Sequence, residues 1–179
     1  MEFSKLLEER RSIRAFAKNT KISDEDLELV IYAAQQAPSW KNSQTGRYYA
    51  VMSSDMVEKF RKNCLPSFNA ERTENAVGFI VTTFKKGISG FTPNGDPADS
   101  NGNAWGAYDL GLQNQNLILK ARELGYDTLI MGLKDEEKIS ELLNIPTDEN
   151  IMSVIAIGKR EDNPEKPMRK AIEDILKIY

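Results

Sequence analysis

Arg10, Arg11 and Arg14 fall within five residues, with Ser12 among them, in the run Arg10-Arg11-Ser12-Ile13-Arg14. A guanidinium is a planar fork of donors that matches a phosphate, and a hydroxyl adds one donor more, so this composition suits a phosphorylated ligand. The same residues would serve equally as the solvated basic end of a helix, where arginine complements the helix dipole. A second polar run, Pro38-Ser39-Trp40-Lys41-Asn42-Ser43-Gln44, offers small hydroxyl and amide groups to a heteroaromatic edge, or satisfies itself within turns. The chain has no histidine, which removes Ser-His-Asp and Cys-His catalysis and every His-ligated metal. Its single cysteine, Cys64, is expected to be a buried, inert thiol. Chemistry must then come from a bound cofactor or from carboxylate, lysine, tyrosine or arginine side chains.

The elements that carry these runs follow from periodicity. Phe3, Leu6 and Leu7 at i, i+3 and i+4 predict a short helix ending near Arg10, after which Ser12, Arg14 and Phe16 alternate with Ile13, Ala15 and Ala17 in an extended segment. Ser23 and Asp26 form a capping pair for a helix with the stripe Leu27, Val30, Ile31 and Ala34, which must stop before Pro38. Strands are predicted over 48–52, 77–84, 127–131 and 152–158, and helices over 55–62, 105–124 and 136–143. The helix over 105–124 is apolar on more than one face, with Gly106 and Gly111 allowing close approach, and reads as a buried central helix. Residues 85–103 read as a long surface loop rich in Gly, Pro, Asn and Asp, and Ile172, Ile175, Leu176 and Tyr179 give a last helical stripe.

Composition sets the outer bounds. A chain of 179 residues that is 40% hydrophobic can bury a core as one domain spanning 1–179. With 24 basic against 27 acidic residues, no nucleic acid or other polyanion is indicated as a partner. No apolar run approaches the roughly 18 residues of a membrane span, and the charged start MEFSKLLEERR is unlike a signal peptide, so a cytoplasmic location is expected.

Taken together, the two polar runs resemble the nitroreductase family, whose members carry an R-[RH]-S-x-[RK] motif followed by a P-S-x-x-N-x-Q loop. Phe68-Asn69-Ala70-Glu71-Arg72 resembles the family's N-x-x-[KR] element, and Asp109-Leu110-Gly111, Leu124-Gly125-Tyr126-Asp127-Thr128, Ile130-Met131-Gly132 and Arg169 extend the likeness along the whole chain. Thr45-Gly46 replaces the Pro-Trp that many relatives carry after the glutamine, and Lys166-Pro167-Met168-Arg169 only approximates the usual K-x-R.

The resemblance implies an α+β fold, a central mixed sheet surrounded by helices, in a homodimer with flavin sites at the interface. It implies that Arg10, Ser12 and Arg169 hold the FMN phosphate and ribityl chain, with Arg11 a further candidate. Arg14, Asn69 and Arg72 would meet the pyrimidine edge, and Ile130, Met131 and Gly132 would run along the ring. Pro38, Ser39, Trp40 and Asn42 would reach the FMN of the opposite subunit. No side chain is implied as acid or base; Arg14, Arg72 and Gly132 would tune the flavin. The activity implied is ping-pong transfer of hydride from NAD(P)H, through FMN, to a small electrophilic acceptor such as a nitroaromatic or quinone. The alternatives are a same-fold flavin enzyme of different chemistry (dehalogenation, flavin fragmentation, enoate-like reduction), a non-catalytic flavin-binding or redox-sensing protein, and a purely structural or interaction module. The lack of a G-x-G-x-x-G loop agrees with transient nicotinamide binding.

Overall fold

The structure is a computed structural model that describes residues 2–179. Its helices are α1 (Phe3–Glu9), α2 (Asp24–Gln35), α3 (Ser54–Cys64), α4 (Ser67–Arg72), α5 (Ala104–Glu123), α6 (Glu136–Leu143) and α7 (Ile172–Ile175). Its strands are β1 (Gly46–Val51), β2 (Gly78–Lys85), β3 (Asp127–Met131) and β4 (Glu149–Gly158), joined in the order β1-β2-β4-β3. All three pairings are antiparallel. The expected mixed character is confined to a single parallel bridge between Ser12 and Thr128.

Period-two alternation in the two central strands builds a three-layer molecule. Phe79, Val81, Val154 and Ala156 point to one side, where they meet Phe60 and Cys64 of α3 and Ile139 of α6. Ile80, Ile155 and Ile157 point to the other, onto Val30 and Ala34 of α2 and Leu117, Ile118 and Ala121 of α5. Because both faces are covered, β2 reads as a near-continuous apolar run rather than an alternating one.

Local chemistry explains the element ends. Ser23 accepts the Asp26 N–H at 3.0 Å and caps α2, and Asp135 accepts the Lys138 N–H at 3.1 Å and caps α6. In α5, a Cβ on Gly106 would lie 2.4 Å from the Phe84 ring, so glycine is what lets this helix press on β2. Gly111, expected to do the same, faces open space. The helix over 105–124 is buried as anticipated, but its inner face also carries Asp109, Gln113 and Asn114.

One expectation needs correcting, and one element was not foreseen. The apolar stripe after 171 forms only the single turn of α7, and Ile172, Ile175, Leu176, Ile178 and Tyr179 are all exposed. The 67–72 segment, which has no clear period, is a short helix, α4. Among the described residues no helix is long and apolar enough to cross a membrane, and no cluster of acidic or cysteine side chains is arranged to hold a metal.

Candidate active site

The arginine-rich run is extended because its apolar residues are drawn inward. Ile13 and Phe16 are fully buried, and the burial of Ile13 turns Ser12 and Arg14 to the surface. The backbone is pinned on both sides: the Ile13 N–H donates to Thr128 O at 3.0 Å on β3, and the Ala17 N–H donates to Lys159 O at 2.8 Å beyond β4.

Beneath this segment lies a buried ion cluster. Asp127, with 2% of its side chain exposed, accepts from Arg160 at 2.5 and 2.9 Å and from Arg122 at 3.4 Å. Arg122 also pairs with Glu9 at 3.1 Å, and Arg160 donates to the Glu9 carbonyl at 3.2 Å. The cluster ties the end of α1 to α5, β3 and the exit of β4, and consumes the nearby carboxylates.

The candidate arginines are left without carboxylate partners among the described residues. Arg11 donates to the carbonyls of Glu8 and Arg10 and lines a small hollow with Glu9, Arg122, Arg160 and Asn163. Arg14 reaches only the Ser12 carbonyl at 3.4 Å, and Arg169 only the carbonyls of Pro167 and Met168. Burial, then the positive charges of Arg169 and Arg11, hold the Arg10 guanidinium below its ordinary pKa. Three like charges are therefore near one another with no carboxylate ion-paired to them among the described residues. A ligand bearing two negative charges, such as a phosphate monoester, is the chemistry that relieves this arrangement.

The same side continues along β3. Met131 is buried, Ile130 and Gly132 are exposed, and a Cβ on Gly132 would meet nothing within 4 Å. Buried Asn69 of α4 donates from Nδ2 to Leu133 O at 3.0 Å, fixing α4 beside the exit of β3. One turn on, the exposed Arg72 guanidinium sits 5.4 Å from the Phe68 ring centroid.

The second polar run lies elsewhere. Trp40–Asn42 is a 3-10 turn, with Pro38 exposed and Ser39 accepting the Gln44 N–H at 3.0 Å. Lys41, Asn42 and Gln44 adopt φ of 46°, 56° and 48°, a left-handed conformation that non-glycine residues disfavour and that gathers at functional sites. The turn is anchored where the Trp40 N–H meets Asp109 Oδ2 at 3.0 Å, near the start of α5. Arg122, which anchors the arginine segment, lies near the end of that helix. At 1.5 Å per residue the two anchors are about 20 Å apart. Arg10 is thus within electrostatic reach of Arg169, Ser12 bridges to Thr128 of β3 and Asn69 is bonded to Leu133 just past that strand, while 38–42 are anchored near the other end of α5.

A model of the nitroreductase family matches residues 7–159. The chain belongs to the nitroreductase family. A protein of Archaeoglobus fulgidus, provisionally named an NADH dehydrogenase/NAD(P)H nitroreductase, is 30% identical over 169 residues, covering 92% of this chain and 88% of that protein. An oxygen-insensitive NADPH nitroreductase of Helicobacter acinonychis is 26% identical over 92% of this chain and 90% of its own length. Among solved structures, a provisionally assigned nitroreductase of Exiguobacterium sibiricum, in complex with FMN, shares the fold with a TM-score of 0.87 over 100% of this chain and 98% of that one, at 24% identity.

In this nitroreductase-family chain, sequence reasoning missed the Asp127 cluster and the roles of Asp109 and Trp105. Polar residues at 109, 113 and 114, amid the apolar positions of a helix read as central, were the available signal. Cys64 is buried, and burial, helped by the Asp135 carboxylate, pushes its thiol up to about 11, which leaves it little thiolate for nucleophilic work.

Proposed function

We infer that the chain is an FMN-dependent oxidoreductase that takes hydride from NAD(P)H and delivers it to a small electrophilic acceptor of the nitroaromatic or quinone class. The two substrates use the same place in turn, giving ping-pong kinetics. The observation that carries this reading is the gathering of Arg10, Arg11 and Arg169 without a carboxylate, in a chain of this family. FMN, when bound, supplies the two-electron chemistry; the chain supplies binding, orientation and charge. Arg10, Ser12 and Arg169 would hold the phosphate end, with Arg11 behind them. Arg14, Asn69 and Arg72 would face the pyrimidine edge, and Ile130, Met131 and Gly132 the ring. A guanidinium such as Arg14 beside that edge favours the form of the ring with more negative charge.

The working unit is a homodimer of single-domain subunits in the cytoplasm. Its support is that the Trp40 turn and the arginine segment are anchored near opposite ends of α5, about 20 Å apart. Phe3 and Leu7 of α1 and the apolar tail after 171 are exposed and would be covered by the second copy. Pro38, Ser39, Trp40 and Asn42 would then complete the partner's FMN site.

The test is the absorption spectrum of the purified protein, mass analysis of the released chromophore, and sedimentation of the loaded form. A flavin spectrum, FMN and a dimer are expected. FAD, no flavin uptake, or an active loaded monomer would overturn the reading.

A further inference from the structure

Asp109 is a carboxylate with 2% of its surface exposed, and its hydrogen-bond donors are neutral. Oδ2 takes both the Trp40 N–H at 3.0 Å and the Ser89 hydroxyl at 2.6 Å. Removing a carboxylate from water without a cation is costly, so its hydrogen bonds must be well made. The two donors come from different surface segments. Trp40 opens the left-handed turn, while Ser89 sits in the loop between β2 and α5. The loop is held at its other end as well: Asp99 accepts the Trp105 indole N–H at 2.9 Å, and the Trp105 ring packs on Trp40 at 4.6 Å between centroids. Turn, loop and the start of α5 therefore meet at one carboxylate.

We propose that Asp109 is a positioning residue, whose carboxylate fixes residues 40–44 in the strained shape in which one subunit presents Trp40 and Asn42 to its partner's FMN. This rests on the homodimeric FMN reading given above. Hydrogen bonds to a charged acceptor are the strong ones, and here they offset the cost of three left-handed residues in one short turn. Without them the turn relaxes, the rim of the opposite site opens, and the arginine end of that site is untouched.

The experiment uses Asp109→Leu, which keeps size and removes the acceptor, and Asp109→Asn, which keeps one oxygen where Oδ2 stands. The Leu variant should bind FMN about tenfold or more weakly, and the Asn variant should fall between it and the wild type. The deciding measurement is a differently tagged heterodimer of Asp109→Leu with an Arg10→Glu/Arg169→Glu subunit. A defect acting across the interface leaves one complete site, so the heterodimer should hold one tightly bound FMN and regain roughly half the wild-type turnover. If Asp109 serves only its own subunit, no complete site remains, and a heterodimer no better than its parents overturns the proposal. Should the Leu variant not fold, amide exchange in Asp109→Asn decides: residues 40–44 should exchange several-fold faster with β2 unchanged, and unaltered exchange over 40–44 overturns the proposal. A wild-type protein that takes no FMN, or carries it as a monomer, rejects the parent reading instead.

Discussion

Replacing Arg169 with glutamine should have opposite effects on the two states of the protein. Arg169 is one of the charges that push Arg10 below its ordinary pKa, so in the FMN-free protein its removal relieves repulsion. Both side chains are substantially in contact with water, and solvent screening limits the gain to about 0.5 kcal/mol, or roughly 1–2 °C in Tm for a chain of this size. In the loaded protein the same change removes a charged donor to the phosphate, worth about 1.5–3 kcal/mol, or roughly 10- to 150-fold in Kd. Thermal unfolding of the flavin-free protein, paired with fluorescence titration by FMN, measures both. Salt should mimic the substitution, raising the flavin-free Tm slightly while weakening FMN. A variant that is less stable without FMN and binds it as before would show that Arg169 is an ordinary tail residue and that the phosphate reasoning is wrong.

Arg14→Gln should retain FMN through its phosphate but lower the two-electron midpoint potential by about 30 mV for each 1.4 kcal/mol of lost charge stabilisation; a spectroelectrochemical titration of the fully loaded variant with an unchanged midpoint would remove Arg14 from the pyrimidine edge. Asp127→Asn leaves Arg122 and Arg160 facing each other without their shared carboxylate and should cost about 3 kcal/mol in denaturant unfolding, since breaking a buried pair leaves uncompensated charge. A loss under about 1 kcal/mol would mean that water already screens the cluster. Cys64, with its pKa raised to about 11, should resist alkylation in the native protein at pH 8, react faster as pH climbs toward that value, and react at once on unfolding. Rapid native labelling at pH 8 would contradict its burial.

Much of this was legible in the sequence because local chemistry and core position agreed. Ser12 and Arg14 alternate with Ile13, and burying Ile13 forced them outward, whereas Phe16, which strict alternation places with them, is buried because the chain bends at Arg14 and Ala15. The Ser23 cap and the stop before Pro38 were equally plain. Other features were hidden because they depend on residues far apart in the chain. Asp127 meets Arg160 and Arg122, and Arg122 in turn meets Glu9, from four segments, and no spacing announces that set. Asp109 meets Trp40 across 69 positions, so its part in shaping the turn could not be read from either stretch alone. The tail after 171 misled for a related reason. Its apolar stripe has the helical period, yet its side chains stay exposed rather than packing on the described residues of the subunit, and only one turn forms.

The claim on which the account depends most is that this chain passes electrons from NAD(P)H to an acceptor through bound FMN. Anaerobic mixing of the FMN-loaded protein with NADH or NADPH, followed by a nitroaromatic or quinone, tests it directly in a single turnover. The account predicts that flavin absorbance is lost with one nicotinamide per site, survives removal of the oxidised nicotinamide, and returns when the acceptor is added. Flavin that stays oxidised with both nicotinamides, or that once reduced is not reoxidised by any acceptor of these classes, would contradict it.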